Sequence, residues 1–260
     1  MASAHGTAPD LIRSRSIDQA REQRARDWAE IQERTLLPLY QAVHERVGLG
    51  GASSLLDLGC RSGLALLLAQ ARGAQVAGVE PDGPLRERAR ARRLPVVADS
   101  HATRTAHQVV TVLEPLRLGE QVHRTLREAA RLTLPGGVVV LAGPGPAAQD
   151  DFAAVLEVAH RRSGRGRTPE PLRAAELGES AAAAGLRTVG RGRVACPFGY
   201  ADLDSALRGL LATGWYDRAI GCSGEALVAK ELAEALHPFG RADGTVRLHA
   251  EFHYLLAVGS

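Results

Sequence analysis

The stretch LLDLGCRSGLALLLA, residues 55–69, constrains the fold of this chain more than any other. An apolar run of strand type stops at Gly59, and after a short glycine-rich turn an apolar helix begins. A strand that is apolar on both faces must be covered by helices on both sides. The same alternation follows: AQVAGVE (74–80) and LPVVAD (94–99) read as strands flanking the helix DGPLRERARARRL. HQVVTVL (107–113) and GGVVVLAG (136–143) flank an amphipathic helix over 118–134, expected to stop at Pro135 and Gly136. Strands and helices at this spacing imply βαβ units and a parallel sheet.

The flanks are helical. Residues 16–47 read as two helices interrupted at Pro38, ended by Gly48, Gly50 and Gly51. After Gly145 come helices over 148–162 and 171–186, a strand-like run over 187–198, two or three helices over 201–238, and one long closing strand over 245–259. Residues 1–15 are expected to form a disordered tail, and 16–260 a single domain.

Composition excludes several classes. The chain has 260 residues, 45% of them hydrophobic and 23% charged, which suits an ordinary globular α/β protein. No uncharged apolar run reaches the roughly 18 residues of a membrane span. The net charge of +3 is too weak to argue for nucleic acid. Lys230 is the single lysine among 32 basic residues, so arginine richness reflects a compositional bias and not phosphate recognition. The three cysteines, Cys60, Cys196 and Cys222, are far apart and form no CxxC pair. Neither a disulfide framework nor a metal site is indicated, and a reducing cytoplasm is expected.

The turn after the first strand presents backbone amides at a helix N-terminus and lets a ligand approach closely. Glu80 ends the next strand 21 residues after Gly59, a spacing that suits a carboxylate accepting hydrogen bonds from ribose hydroxyls. Asp57 sets this turn apart from a pyrophosphate-binding fingerprint, since a carboxylate repels phosphate but tolerates a cationic ligand.

In LLDLGCRSG, VAGVEPD, VVADS, LREAARLTLPGGVVVL and the closing FHYLLA, taken in this order over residues 20–258, the chain resembles the class I S-adenosylmethionine-dependent methyltransferases, of the small-molecule type frequent in actinobacterial metabolism. The resemblance implies a Rossmann-like, seven-stranded, mostly parallel sheet whose last strand is antiparallel. It divides the domain into a helical cap (16–47), a cofactor-binding half (53–145) and a helical insertion over the active site (197–243). It implies S-adenosylmethionine as cofactor and methyl transfer to an O, N or C nucleophile of a small molecule of secondary metabolism.

Carried over by position, Asp57, Gly59, Cys60, Arg61 and Gly63 form the cofactor loop, with Arg61 standing where the family usually has a glycine. Glu80, with Pro81 and Asp82 beside it, holds the ribose. Asp99 and Ser100 lie near the adenine, and Leu113 and Glu114 face the methyl group. Gln108 replaces an acid often found before the fourth strand.

Candidate proton acceptors are Glu114, His44 and His101, in that order; Tyr40 and His44 share a helix face. Trp28 and Tyr40 in the cap, with Phe198, Tyr200, Trp215 and Tyr216 in the insertion, are the expected walls of a substrate pocket. His249, Glu251 and His253 alternate on the closing strand but suit a half-buried strand better than a metal. A monomer or homodimer is expected, with no nucleic-acid or membrane partner. Two alternatives stay open: a methyltransferase fold that no longer methylates, acting as a cyclase-like catalyst or binding protein, and a nicotinamide enzyme, against which the missing GxGxxG spacing counts.

Overall fold

The computed structural model describes residues 8–113, 122–145, 151–164 and 174–259, with side chains from Asp18 and, in the helix Ala174–Ala183, from Glu176. The apolar runs form the strands β1 (Ser54–Leu58), β2 (Gln75–Val79), β3 (Val96–Val97), β4 (His107–Val112) and β5 (Thr133–Pro144). Downstream lie β6 (Leu186–Ala195), β7 (Phe198–Tyr200), β8 (Val246–Leu248) and β9 (Glu251–Gly259). Seven of them make one sheet in the order β3-β2-β1-β4-β5-β9-β6, with β9 antiparallel to both neighbours. The small remaining sheet pairs β7 with β8.

Helices α1 (Ala8–Asp27), α2 (Leu37–Arg46), α3 (Leu64–Ala71), α4 (Gly83–Ala91) and α6 (Phe152–Arg162) join α8 (Leu203–Ala212), α9 (Asp217–Ser223) and α10 (Glu225–Leu236) on one side of the sheet. Helices α5 (Val122–Arg131) and α7 (Ala174–Ala183) cover the other. Leu55 and Val109 face the first core, while Leu56 and Val110 face the second. The strands therefore read as continuous apolar runs because each has two buried faces.

Four boundaries depart from the sequence reading. The first helix begins at Ala8, inside the expected disordered tail. It does not pass directly into α2: a π-helical turn, Trp28–Gln32, and a 3-10 turn, Glu33–Leu36, intervene. Strand β5 starts at Thr133 and runs through Pro135 and Gly136, which had read as a helix stop. The two long runs near the C-terminus are each broken, at Cys196–Pro197 and at His249–Ala250, which frees β7 and β8 to pair with each other.

Candidate functional site

The order β2-β1-β4 puts the carboxyl ends of three parallel strands side by side, the edge where ligands bind in open α/β sheets. The turn after β1 is clamped to β2: the amides of Gly59 and Cys60 both donate to the Val79 carbonyl, at 2.8 and 3.1 Å. Gly59 is left-handed (φ +84°), and a Cβ built on it would meet no atom within 4 Å, so its backbone faces open space. Gly63, the N-cap of α3, is also left-handed (φ +85°).

Glu80 is the centre of the arrangement. Its side chain is buried, with Oε2 accepting from the Arg61 amide (2.9 Å) and Oε1 from the Asp82 amide (2.8 Å). Burial pushes the Glu80 carboxyl above the usual carboxylate range, while the Arg61 charge and the two amides pull it back. Each oxygen keeps a lone pair for a further donor. Asp82 caps α4 by accepting from the Leu85 amide (3.1 Å), and Arg86 ties the chain by donating to the carbonyls of Glu80 and Pro81.

An open cleft of about 510 Å³ lies over this edge. Gly59, Arg61, Glu80, Pro81, Asp82, Asp99, Ser100 and His101, all candidate site residues from the sequence, border it. Leu58, Val79, Ala98 and Val112 add apolar wall, and Arg124, Thr125 and Glu128 of α5 close the far side. Sequence reasoning missed the α5 wall, although one polar face of an amphipathic helix facing the strand ends was the available signal. Asp99 is exposed; the amide of His101 donates to it at 2.9 Å and helps hold its carboxyl below the ordinary range. Asp57, Cys60, Gly63 and Leu113 do not border the cleft. The first two are buried, and the Thr111 hydroxyl donates to Asp57 Oδ1 at 2.8 Å.

Other candidates lie elsewhere. Glu114 lies outside the described residues. His44 is fully buried in α2, with no hydrogen-bond partner for either ring nitrogen among the described residues, and burial lowers its pKa to about 4. The structure does not bring it to the cleft. The six aromatics expected to wall a substrate pocket belong to the larger core or pack against it, and none borders this cleft. Phe152 meets Phe198 edge-on at 4.9 Å and Trp215 at 4.5 Å. The Tyr200 hydroxyl donates to Gln32 Oε1 (2.9 Å), and the Tyr216 hydroxyl to the Val155 carbonyl (3.1 Å). Tyr40 is buried beside Leu39 and Val43. Trp28 lies under the Arg61 guanidinium, 4.4 Å from its ring centroid. On β9, His253 Nε2 pairs with Glu251 Oε1 at 2.7 Å, and no group of three metal-ligating side chains occurs among the described residues. No described helix is long and apolar enough to cross a membrane.

Residues 20–189 match the family model described as a methyltransferase domain. The chain belongs to this methyltransferase family. Its fold is the Rossmann-like fold of class I S-adenosylmethionine-dependent methyltransferases. An S-adenosylmethionine-dependent methyltransferase from Thiobacillus denitrificans, solved with S-adenosylhomocysteine, is similar at 17% identity, 85% of this chain, 90% of that chain and a TM-score of 0.51. One from Geobacter sulfurreducens, also with S-adenosylhomocysteine, is similar at 18% identity, 88% and 92% coverage and a TM-score of 0.51. The cyclase SpnF is similar at 20% identity, 85% and 79% coverage and a TM-score of 0.52. Among curated proteins, none matches the chain significantly.

The residues of this cleft fit S-adenosylmethionine, the cofactor that the methyltransferase family implies. A carboxylate fixed by two amides suits a ribose diol, and the open backbone at Gly59 admits close approach. The volume lies within the range of small-molecule sites, about 300–1,000 Å³.

Proposed function

We propose that this protein transfers a methyl group from S-adenosylmethionine to an O, N or C nucleophile of a small organic molecule, in the setting of secondary metabolism. When bound, the cofactor supplies an electrophilic methyl group on a sulfonium centre. Glu80 would accept from the ribose hydroxyls, the Gly59 backbone would lie against the ligand, and Asp99 with Ser100 would take the adenine end. Asp57 places a carboxyl group near the end of β1, just before the loop, which would suit a cation and oppose a pyrophosphate. The protein's own contribution would be alignment of the acceptor and exclusion of water. Where the acceptor arrives protonated, Glu114, directly after Leu113 at the end of β4, is the proposed proton acceptor. His101, whose amide donates to Asp99 at the cleft, would stand at the adenine end.

The observation that carries this reading is the Glu80 carboxylate held between the Arg61 and Asp82 amides in the cleft of a methyltransferase-family chain. The test is methyl transfer itself, from isotopically labelled S-adenosylmethionine to small molecules bearing hydroxyl, amine or activated carbon. Labelled product together with S-adenosylhomocysteine supports the reading. A second reading is a non-methylating, cyclase-like catalyst. Arg61 in the cofactor loop and the likeness of fold to SpnF favour it, and cofactor binding without product from any acceptor class would select it.

A further inference from the structure

Two consecutive residues of the cofactor loop are held from outside the cleft. The Arg61 guanidinium stacks on Trp28 and donates through Nη2 to the Thr213 carbonyl at 3.0 Å. The Ser62 hydroxyl donates to Glu33 Oε2. Glu33 is itself buried, and Arg92 binds both its oxygens while donating to the Ser62 carbonyl at 3.0 Å. Trp28 and Glu33 thus grip adjacent loop residues.

They can do so because of the π turn. At 100° per residue, two α-helical residues five apart would point about 140° away from each other. Here the Glu33 amide bonds to the Trp28 carbonyl, closing an i→i+5 turn that brings the pair to one side. The same loop segment carries the amide that fixes Glu80, and Arg61 presents it from a left-handed conformation (φ +53°) that a non-glycine residue adopts only when its surroundings impose it.

We propose that Trp28 and Glu33 are positioning residues for the cofactor site. Through Arg61 and Ser62 they set the Arg61 amide against Glu80, so that docking of the N-terminal cap and occupancy of the cleft reinforce each other. The inference rests on the cofactor reading above. By linkage, whatever favours the docked cap tightens the cofactor, and the cofactor must equally favour the docked cap.

The test uses Ser62→Ala, which removes one hydroxyl and leaves the Glu33–Arg92 pair intact, and Trp28→Leu, with Trp28→Phe as the conservative partner. S-adenosylhomocysteine affinity is measured by calorimetry, the thermal midpoint without ligand by circular dichroism, and the tryptic cleavage rate within α1 with and without S-adenosylhomocysteine. The expected result is a loss of affinity of at least about fivefold in Ser62→Ala and Trp28→Leu, within the range of ordinary coupling. Trp28→Phe recovers most of it, and the ligand slows cleavage of α1 in the wild type but less in the two weakened variants. Affinities within twofold of wild type, whatever the thermal midpoints, overturn the inference alone. A folded wild type that binds no S-adenosylhomocysteine overturns the cofactor reading and the inference with it.

Discussion

Replacing Glu80 with alanine tests the cleft at its centre. The carboxylate is 3% exposed and already accepts two backbone amides, so its remaining lone pairs are fixed in direction before any ligand arrives. Hydrogen bonds to an ionised group contribute about 1.5–3 kcal/mol each. Two such bonds to a ribose diol amount to roughly 3–6 kcal/mol, a factor of about 10²–10⁴ in affinity. The apo protein is expected to suffer much less. Burial already disfavours the Glu80 charge, so its removal offsets part of the cost of leaving the Arg61 and Asp82 amides without acceptors. The assay is calorimetric titration with S-adenosylhomocysteine beside a thermal melt. An affinity within threefold of wild type in a folded variant would refute the pose.

Other outcomes follow from single features. Because burial raises the Glu80 pKa and ribose binding uses the charged form, S-adenosylhomocysteine affinity should fall as pH drops toward that raised value, and a flat profile down to the ordinary carboxylate range would count against it. Arg61→Gly relieves a left-handed arginine but loses the Trp28 stack and the Thr213 bond, so cofactor affinity should fall; a tenfold gain would instead mark Arg61 as an erosion of the site. His44 stays neutral in the fold down to about pH 4, so stability is complete above its unfolded pKa of 6.5 and drains away as pH falls between them. The loss approaches about 3 kcal/mol, and urea titrations of His44→Leu should show it removed. At Gly63, left-handed and with a hypothetical Cβ 2.4 Å from Leu94 Cδ1, alanine should destabilise the protein by about 1–3 kcal/mol, and an unchanged melt would contradict the packing.

The first half of the fold was legible because its strands are buried on both faces and its turns contain glycine. The pattern from Leu55 to Glu80 places the loop, the helix and the Glu80 carboxylate along the sheet edge, where the structure also has them. Other features resisted for physical reasons. Pro135 and Gly136 lie where β5 is exposed, so they are tolerated in a strand although they usually end a helix. Trp28, Phe198 and Trp215 are the kind of residue that lines a pocket, but composition cannot distinguish a wall from the contact that packs one layer on another. His44 on a helix face reads as available until tertiary packing closes over it. Glu33 and Arg92 look like solvated charges in sequence, and only the fold brings them together on the cofactor loop, with Glu33 buried and Arg92 half-buried.

The most direct measurement is calorimetric titration of the wild-type protein with S-adenosylmethionine and with S-adenosylhomocysteine. Micromolar binding of both, at one site per chain, is what the cleft around Glu80 requires. A folded protein that binds neither would contradict the account.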